Sequence, residues 1–377
     1  MSAADKDSMK AAIYHSFGGV IRVETVPIPK LPSTDGVLIK VEATGVCRSD
    51  WHGWKGHDGD ISEHGLPFCP GHEFSGTVVQ SSSTDFSSGD RVAVPFILSC
   101  GSCPSCAIDN QPTVCHDQKQ PGFTQWGSFA EYVAIPRASR NVRRLPPSVS
   151  FVQAAALGCR LTTAYRALLQ QGNLKPHQSV VVAGCGGLGL SCIMLAKDIT
   201  TQKIIAIDVS EAALKKARQL GATHTILATS SNQKDIVKEA WTLTDDQGAH
   251  VTVDAAGFAA TCETAILCTR RGGRMVQVGL PIDGQSLPNI PMGLVAGREL
   301  ELVGSHGFSA DDLPALLRRV SNGTLDPLLL VERCVSLEKG AAVLMEMDKG
   351  SPLGMTMITS FGDDGVERAD VSVKNGQ

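Results

Sequence analysis

The chain is 377 residues long, 42% apolar and 19% charged, which excludes the disordered and fibrous classes. That length predicts two domains rather than one hydrophobic core. With 34 Lys and Arg against 38 Asp and Glu, the formal charge is −4; the basic balance of a nucleic-acid binder is missing, and no nucleic-acid partner is expected.

The opening stretch, MSAADKDSMK, carries charges with no apolar run behind them, so it does not read as a signal peptide, and a cytoplasmic location is expected. The runs MKAAIYH, GVLIKVEATG, FSGTVVQ, DRVAVPF and AEYVAI are rich in β-branched and aromatic residues, and turn residues bound each of them. Pro27, Pro29, Pro32, Pro70, Pro95, Pro104 and Pro112 oppose long helices in between. A mainly β domain with long loops is predicted. Near Gln153 the period changes, and FVQAAALGCRLTTAYRALLQQG predicts a helix that stops at Gly172.

From Val180 onward, apolar strands alternate with amphipathic helices: SVVVAG, LGLSCIMLAKDI, KIIAIDV, EAALKKARQLG, HTILAT, KDIVKEAWTL, HVTVDAAG, FAATCETAILCT, RMVQVG and ELELVG. This pattern predicts a doubly wound parallel sheet covered by helices on both faces, an α/β nucleotide-binding fold. The domain expectation is therefore 1–159, then 160–300, with 301–377 returning to the first domain and ending in the polar tail GDDGVERADVSVKNGQ. Residues 178–196 carry no charge, but their β-branched start and glycines read as a strand feeding a helix, so no membrane partner is expected.

Gly184-Cys185-Gly186-Gly187-Leu188-Gly189 lies between a predicted strand and a predicted helix, which is the context that gives a GxGxxG pattern its meaning. Gly184 allows the tight turn, Gly186 the approach of a pyrophosphate, and Gly189 the packing of helix on sheet. Asp208 ends the next strand, where a carboxylate accepts the ribose hydroxyls of NAD and repels the 2′-phosphate of NADP; Val209 and Ser210 bring no Arg to offset that repulsion. NAD is the expected cofactor.

Twelve cysteines in a long chain without a secretion signal favour metal or catalytic use over disulfides. Cys100, Cys103, Cys106 and Cys115 form C-x2-C-x2-C-x8-C, which fits the tetrahedral shell of a structural zinc, with an iron–sulfur cluster as the chemical alternative. A second group is dispersed: Cys47, Ser49, Asp50 and His52 in GVCRSDWH, Cys69, His72 and Glu73 in CPGHE, and Cys159 in LGC. A catalytic zinc needs three protein ligands and an open position. Spacing alone does not choose three from this set.

These motifs resemble those of zinc-dependent alcohol dehydrogenases in the medium-chain dehydrogenase/reductase superfamily, and the resemblance runs from Met9 to about Thr359. It rests on Gly71-His72-Glu73, GVCRSD and LGCRLTTAY together with the glycine motif and the cysteine quartet. It implies a mainly β, GroES-like catalytic domain beside a Rossmann cofactor domain, with two zinc ions per chain, one catalytic and one structural. It also implies that Cys47, His72 and Cys159 hold the catalytic zinc, with Glu73 behind it as an outer carboxylate or transient ligand. Asp50 would orient His72, Arg48 would pair with the cofactor pyrophosphate, and Thr163 would pack against the nicotinamide. Ser49 would receive the alcohol proton and His52 would pass it on, so that hydride leaves a zinc-bound alkoxide for NAD. Trp54 and Phe96 match positions that wall the substrate channel in relatives, and Trp51 lies beside the relay.

The resemblance thus implies interconversion of primary or secondary alcohols with aldehydes or ketones. Polyol, threonine and glutathione-adduct formaldehyde dehydrogenases on the same scaffold are the alternative, and a non-catalytic NAD-binding protein is a more distant one. Cys159 speaks against the polyol enzymes, which usually carry a carboxylate in the metal site. The quartet has one residue more than usual before Cys115, and the stretch from Cys115 to Cys159 is short, as in tetrameric microbial members. A homotetramer is expected, with a homodimer as the alternative. No counterpart appears for a second, C-terminal arginine that some members place on the pyrophosphate; Arg368 lies in the polar tail.

Overall fold

The computed structural model describes residues 7–228, 233–281, 287–350 and 352–362. The polar C-terminal tail beyond residue 362, Arg368 included, lies outside the described residues. The strands of the first half are β1 (Ser8–Ile13), β2 (Arg22–Pro27), β3 (Gly36–Val46), β4 (Phe74–Ser81), β5 (Arg91–Val94), β6 (Tyr132–Pro136) and β7 (Arg143–Arg144). Then follow β8 (Val180–Ala183), β9 (Ile204–Asp208), β10 (His224–Leu227), β11 (Ala249–Asp254), β12 (Thr269–Gln277), β13 (Glu301–Gly304), β14 (Val331–Ser336) and β15 (Met355–Ser360). They divide between two units, Met1–Thr162 with Gly307–Gln377, and Thr163–His306.

The first unit is built on a seven-stranded sheet, ordered β14-β15-β3-β4-β5-β7 with β6 also paired to β3, and β1 and β2 pair beside it. Strand β3 carries apolar side chains on both faces, so the two-residue alternation feeds two cores. Val37, Ile39 and Val41 join Phe74, Val78, Val92 and Ile135 on one side. Leu38 joins Ile13, Trp54, Phe68, Phe129 and Ile358 on the other. Antiparallel pairing sets Thr44 of β3 opposite Phe74 of β4. The end of β3, just before Cys47, therefore lies next to the start of β4, just after His72 and Glu73.

The second unit is a six-stranded parallel sheet in the order β10-β9-β8-β11-β12-β13. Its helices include Gly187–Ile199, Glu211–Leu220, Gln233–Leu243 and Ala259–Cys268, matching the alternation of apolar runs and amphipathic stretches. This is the doubly wound order whose reversal, between β8 and β11, makes a crevice at the strands' carboxyl ends. Among the described residues no helix is long and apolar enough to cross a membrane.

The long helix expected over 151–172 is broken. A capping box, with Ser150 and Gln153 bonding each other's backbone N–H, starts Phe151–Ala156. The backbone then leaves the helix at Gly158, with φ 14° and ψ −133°, and resumes at Thr162. A Cβ at Gly158 would come within 2.5 Å of the Glu73 Cβ, so the kink brings Cys159 against the β4 start where only a glycine fits. The apolar period runs through this break without interruption, which is why the sequence pattern conceals it.

At the carboxyl end of β11, Asp254 is fully buried and organises the adjoining turns. Its Oδ1 accepts the N–H groups of Ala256 (3.0 Å) and Gly257 (3.1 Å), and its Oδ2 accepts Gln277 Nε2 (2.7 Å). Removing the carboxylate orphans the buried Gly257 N–H and the half-buried Ala256 N–H, at up to about 1–3 kcal/mol each, while Gln277 Nε2 keeps the Gly279 carbonyl. Asp254→Ala is expected to lower the melting temperature clearly, and Asp254→Asn, which keeps an accepting oxygen, to lower it less. Thermal unfolding of both variants followed by circular dichroism checks this order.

Candidate metal centres and cofactor loop

The loop between β5 and β6 carries the cysteine quartet. Cys103 precedes the short helix Pro104–Ala107, and Cys115 follows the turn Pro112–Val114. The four sulfurs all lie within 4.8 Å of one another, with Cys100 and Cys106 at 4.0 Å and Cys103 and Cys115 at 3.8 Å. The N–H groups of Ser102 and Cys103 donate to Cys100 Sγ and hold its thiol down to about 5. Burial instead pushes Cys115 up to about 12. Four sulfurs this crowded do not all ionise unaided, and a bound cation is what would let them. The donor set fits a closed, tetrahedral metal site.

The second cluster assembles from three distant segments. Cys47 stands at the N-terminus of the helix Arg48–Trp54, His72 and Glu73 lead into β4, and Cys159 follows the Gly158 kink. One donor atom from each of the four lies within 4.8 Å of the others. Asp50, 1% exposed, ties two of these segments together: Oδ2 accepts the Cys47 N–H at 3.0 Å, while Oδ1 accepts the Gly71 N–H at 2.9 Å and His72 Nδ1 at 2.8 Å. With Nδ1 committed to Asp50, the imidazole keeps its Nε2 for another partner, and among the described residues this buried nitrogen has none. An orphaned imidazole nitrogen between two thiols fits a soft or borderline divalent metal.

The charges of the cluster lean on one another. The hydrogen bond from Cys159 holds the Cys47 thiol well below its usual range, and the Cys159 proton is held correspondingly high. Burial alone would lower His72, but the charge and hydrogen bond of Asp50 carry it well above its usual value. Burial pushes Glu73 up to about 8.

Around this cluster, Ser49 Oγ stands 3.8 Å from Cys47 Sγ. His52 Nδ1 faces His57 Nδ1 at 3.2 Å, and both rings meet the ring of Trp51, with centroids at 5.0 and 5.6 Å. Trp51 Nε1 donates to Asp348 Oδ1 at 2.8 Å, and the Arg48 guanidinium lies 3.4 Å above the Trp51 ring while donating to Met347 O. Trp54 is 3% exposed in the unit's core and donates Nε1 to Gly19 O. Phe96 stands edge-on to His72 at 5.7 Å, and Phe123 stands at 5.1 Å from the same ring. Sequence reasoning missed Phe123 and Asp348, which carry no motif. It also missed Arg160, whose position next to Cys159 was the available signal.

In the second unit the glycine loop follows β8. Gly184 adopts φ +91°, which favours glycine, and a Cβ on Gly189 would sit 1.8 Å from Gly184 O, so helix and turn touch there without a side chain between them. A Cβ on Gly186, the residue before the helix, would meet nothing within 4 Å; Gly187 and Leu188 open that helix with their amides toward the loop. Asp208 Oδ2 accepts the Cys185 N–H at 2.6 Å and Oδ1 the Ser210 N–H at 2.8 Å, so the carboxylate also braces the loop. Cys185 itself is fully buried, and burial raises its thiol. Thr163 is 6% exposed and, among the described residues, its hydroxyl has no hydrogen-bond partner.

Two family models match the chain, an alcohol dehydrogenase GroES-like domain over residues 33–147 and a zinc-binding dehydrogenase over residues 187–322. An alcohol dehydrogenase of Geobacillus stearothermophilus is 33% identical over 353 residues, covering 93% of this chain and 99% of the relative. A sorbitol dehydrogenase of Bacillus subtilis is 32% identical over 88% of this chain and 91% of its own. The solved structure of the alcohol dehydrogenase TADH from Thermus sp. ATN1 superposes with a TM-score of 0.84 at 30% identity, covering 93% of this chain and all of that one. Identity at this level, sustained across nearly the whole of each chain and accompanied by one fold, places this chain in the zinc-binding alcohol dehydrogenase family of NAD(P)-linked oxidoreductases.

Proposed function

We propose that the protein is an NAD-dependent alcohol dehydrogenase that interconverts primary or secondary alcohols with aldehydes or ketones. Its catalytic zinc would be held by Cys47, His72 and Cys159, and its structural zinc by Cys100, Cys103, Cys106 and Cys115. The unit Met1–Thr162 with Gly307–Gln377 is read as the catalytic domain and Thr163–His306 as the NAD-binding domain. The observation that carries this reading is the Asp50–His72 pair, which leaves one buried imidazole nitrogen without a partner among two thiols. When bound, zinc supplies Lewis acidity toward an alcohol hydroxyl, and NAD supplies the hydride acceptor.

The chain's own residues do the rest. Asp50 fixes the His72 tautomer through Nδ1 and holds Cys47 and Gly71 in place at once. Ser49, next to the cluster, receives the proton that leaves the substrate hydroxyl, and His52 takes it onward toward solvent. Phe96 and Phe123 wall the His72 side with apolar rings, which favours small aliphatic or aromatic alcohols. Asp208, at the end of β9, would select the ribose of NAD. The short Cys115–Cys159 stretch supports a homotetramer. A polyol dehydrogenase is the second reading, favoured by the similarity to a sorbitol dehydrogenase; oxidation of sorbitol faster than of simple alcohols would establish it.

Metal analysis of the purified protein is expected to find two zinc ions per chain together with NAD-dependent alcohol oxidation; a zinc-free active protein would refute the reading. Cys103→Ser is expected to lose one of these ions and to melt lower, because a closed metal site contributes folding free energy. Unchanged metal content and melting would remove the structural assignment.

NAD is expected to exceed NADP by about a hundredfold in kcat/KM, since a 2′-phosphate would meet an unpaired carboxylate. Asp208→Asn removes the charge and keeps one accepting oxygen, enough for the Cys185 or the Ser210 N–H group but not for both, so it should shrink the preference at a small cost in melting temperature. Steady-state kinetics with both cofactors decides the matter.

For the relay, His52→Gln should slow alcohol oxidation most near neutral pH and least in alkali, by no more than about 10²-fold, because solvent can substitute for a shuttle. Ser49→Ala should be more damaging. The pH profile of kcat/KM for both variants, with zinc content measured alongside, is the check; a His52→Gln profile that superimposes on the parent's removes His52 from the relay.

A further inference from the structure

Arg160 follows the cluster residue Cys159, and its side chain is 9% exposed. Its Nη2 donates at 2.6 Å to the carbonyl of Val46, the residue before Cys47. Its Nε stands 3.7 Å from Glu73 Oε1, and that oxygen also accepts the Cys159 N–H at 3.2 Å. Among the described residues, neither Glu73 Oε2 nor Arg160 Nη1 has a hydrogen-bond partner. The Glu73 side chain occupies a slot between two glycines: a Cβ on Gly45 would come within 2.2 Å of Oε2, and one on Gly158 within 2.5 Å of the Glu73 Cβ.

Glu73 is a fourth donor within ligand reach of Cys47, His72 and Cys159. Four protein donors close a tetrahedral shell, whereas a catalytic centre keeps one position open. Where the Glu73 carboxylate goes therefore decides which kind of centre this is. A buried carboxylate beside a divalent cation is drawn to it unless another cation competes. Two thiolates and this carboxylate together exceed the charge of a divalent metal by one, the buried Asp50 beside His72 adds a further negative charge, and Arg160 brings an offsetting positive charge into the same buried region. A guanidinium suits the task because its rigid fork can serve Val46 O and the carboxylate together.

We infer that Arg160 is a positioning residue that holds the Glu73 carboxylate in its glycine slot and off the metal, leaving the fourth coordination position to substrate. The inference rests on reading Cys47, His72 and Cys159 as the catalytic metal ligands. It is independent of which alcohol the enzyme uses.

The test uses the holoenzyme with Co²⁺ replacing zinc, for the parent, Arg160→Met, Arg160→Lys and the double variant Arg160→Met with Glu73→Gln. Visible d–d absorption reports coordination, transfer to a chelator reports metal release, and alcohol oxidation reports kcat. Arg160→Met is expected to change the Co²⁺ spectrum, to slow metal release and to lower kcat by at least about tenfold, in the range seen when outer partners of a metal site are lost. Adding Glu73→Gln should reverse all three changes, and Arg160→Lys should fall between parent and Arg160→Met. A merely structural role for Arg160 would not produce a spectral change that a second substitution at Glu73 undoes. An unchanged spectrum in Arg160→Met, or a change that persists with Glu73→Gln, overturns the inference. If Arg160→Met does not fold, Arg160→Lys carries the same test, and its spectrum matching the parent's overturns the inference equally. A parent protein that takes up Co²⁺ only at the cysteine quartet would refute the catalytic-metal reading itself, and the inference with it.

Discussion

One buried carboxylate organises the mixed cluster of the first unit. Asp50 accepts hydrogen bonds from the backbone of Cys47, from the backbone of Gly71 and from the His72 ring. Without it, two chain segments that meet only because β3 and β4 are paired would each be free to shift, and the imidazole would be free to turn. A carboxylate so deeply buried is tolerable because each of its oxygens is used. Its two oxygens set the geometry of Cys47 and His72, and among the described residues the His72 Nε2 is left without a partner.

The two candidate metal-ligand clusters are built in different ways. The quartet is made of thiols on one loop, braced by backbone N–H groups that need no distant partner. The mixed cluster draws on residues more than a hundred positions apart and depends on the sheet, on a helix kink and on a buried ion pair. The first can be completed locally; the second exists only when the fold is complete.

That difference also governs what the sequence discloses. The parallel sheet was legible because each strand is a short apolar run followed by an amphipathic helix. The glycine loop was legible because its pattern lies at a strand-to-helix junction. The quartet was legible from its spacing. The mixed cluster was not: Cys47, His72 and Cys159 could be singled out only through resemblance to a family, since convergence through β3–β4 pairing and the Gly158 kink leaves no mark in spacing. The kink escaped notice because apolar residues continue at helical period on both sides of it. Phe123 and Asp348 were silent because their partners lie far away in the chain, and Arg160 was signalled only by its place next to Cys159.

The contacts of the helix Arg48–Trp54 bear on how the chain comes to be made. Its Trp51 is fastened to Asp348 and its Arg48 to Met347, while Val46, at the foot of the helix, pairs with Thr356 of β15. A nascent chain that has emerged through Cys159 already contains every donor of both clusters but none of these anchors. The glycine loop and its sheet, by contrast, are complete in sequence well before the ribosome reaches Met347. The stretch of chain made first is thus the one whose support arrives last, and the mixed cluster near the amino end must wait for Met347, Asp348 and Thr356 to be held still.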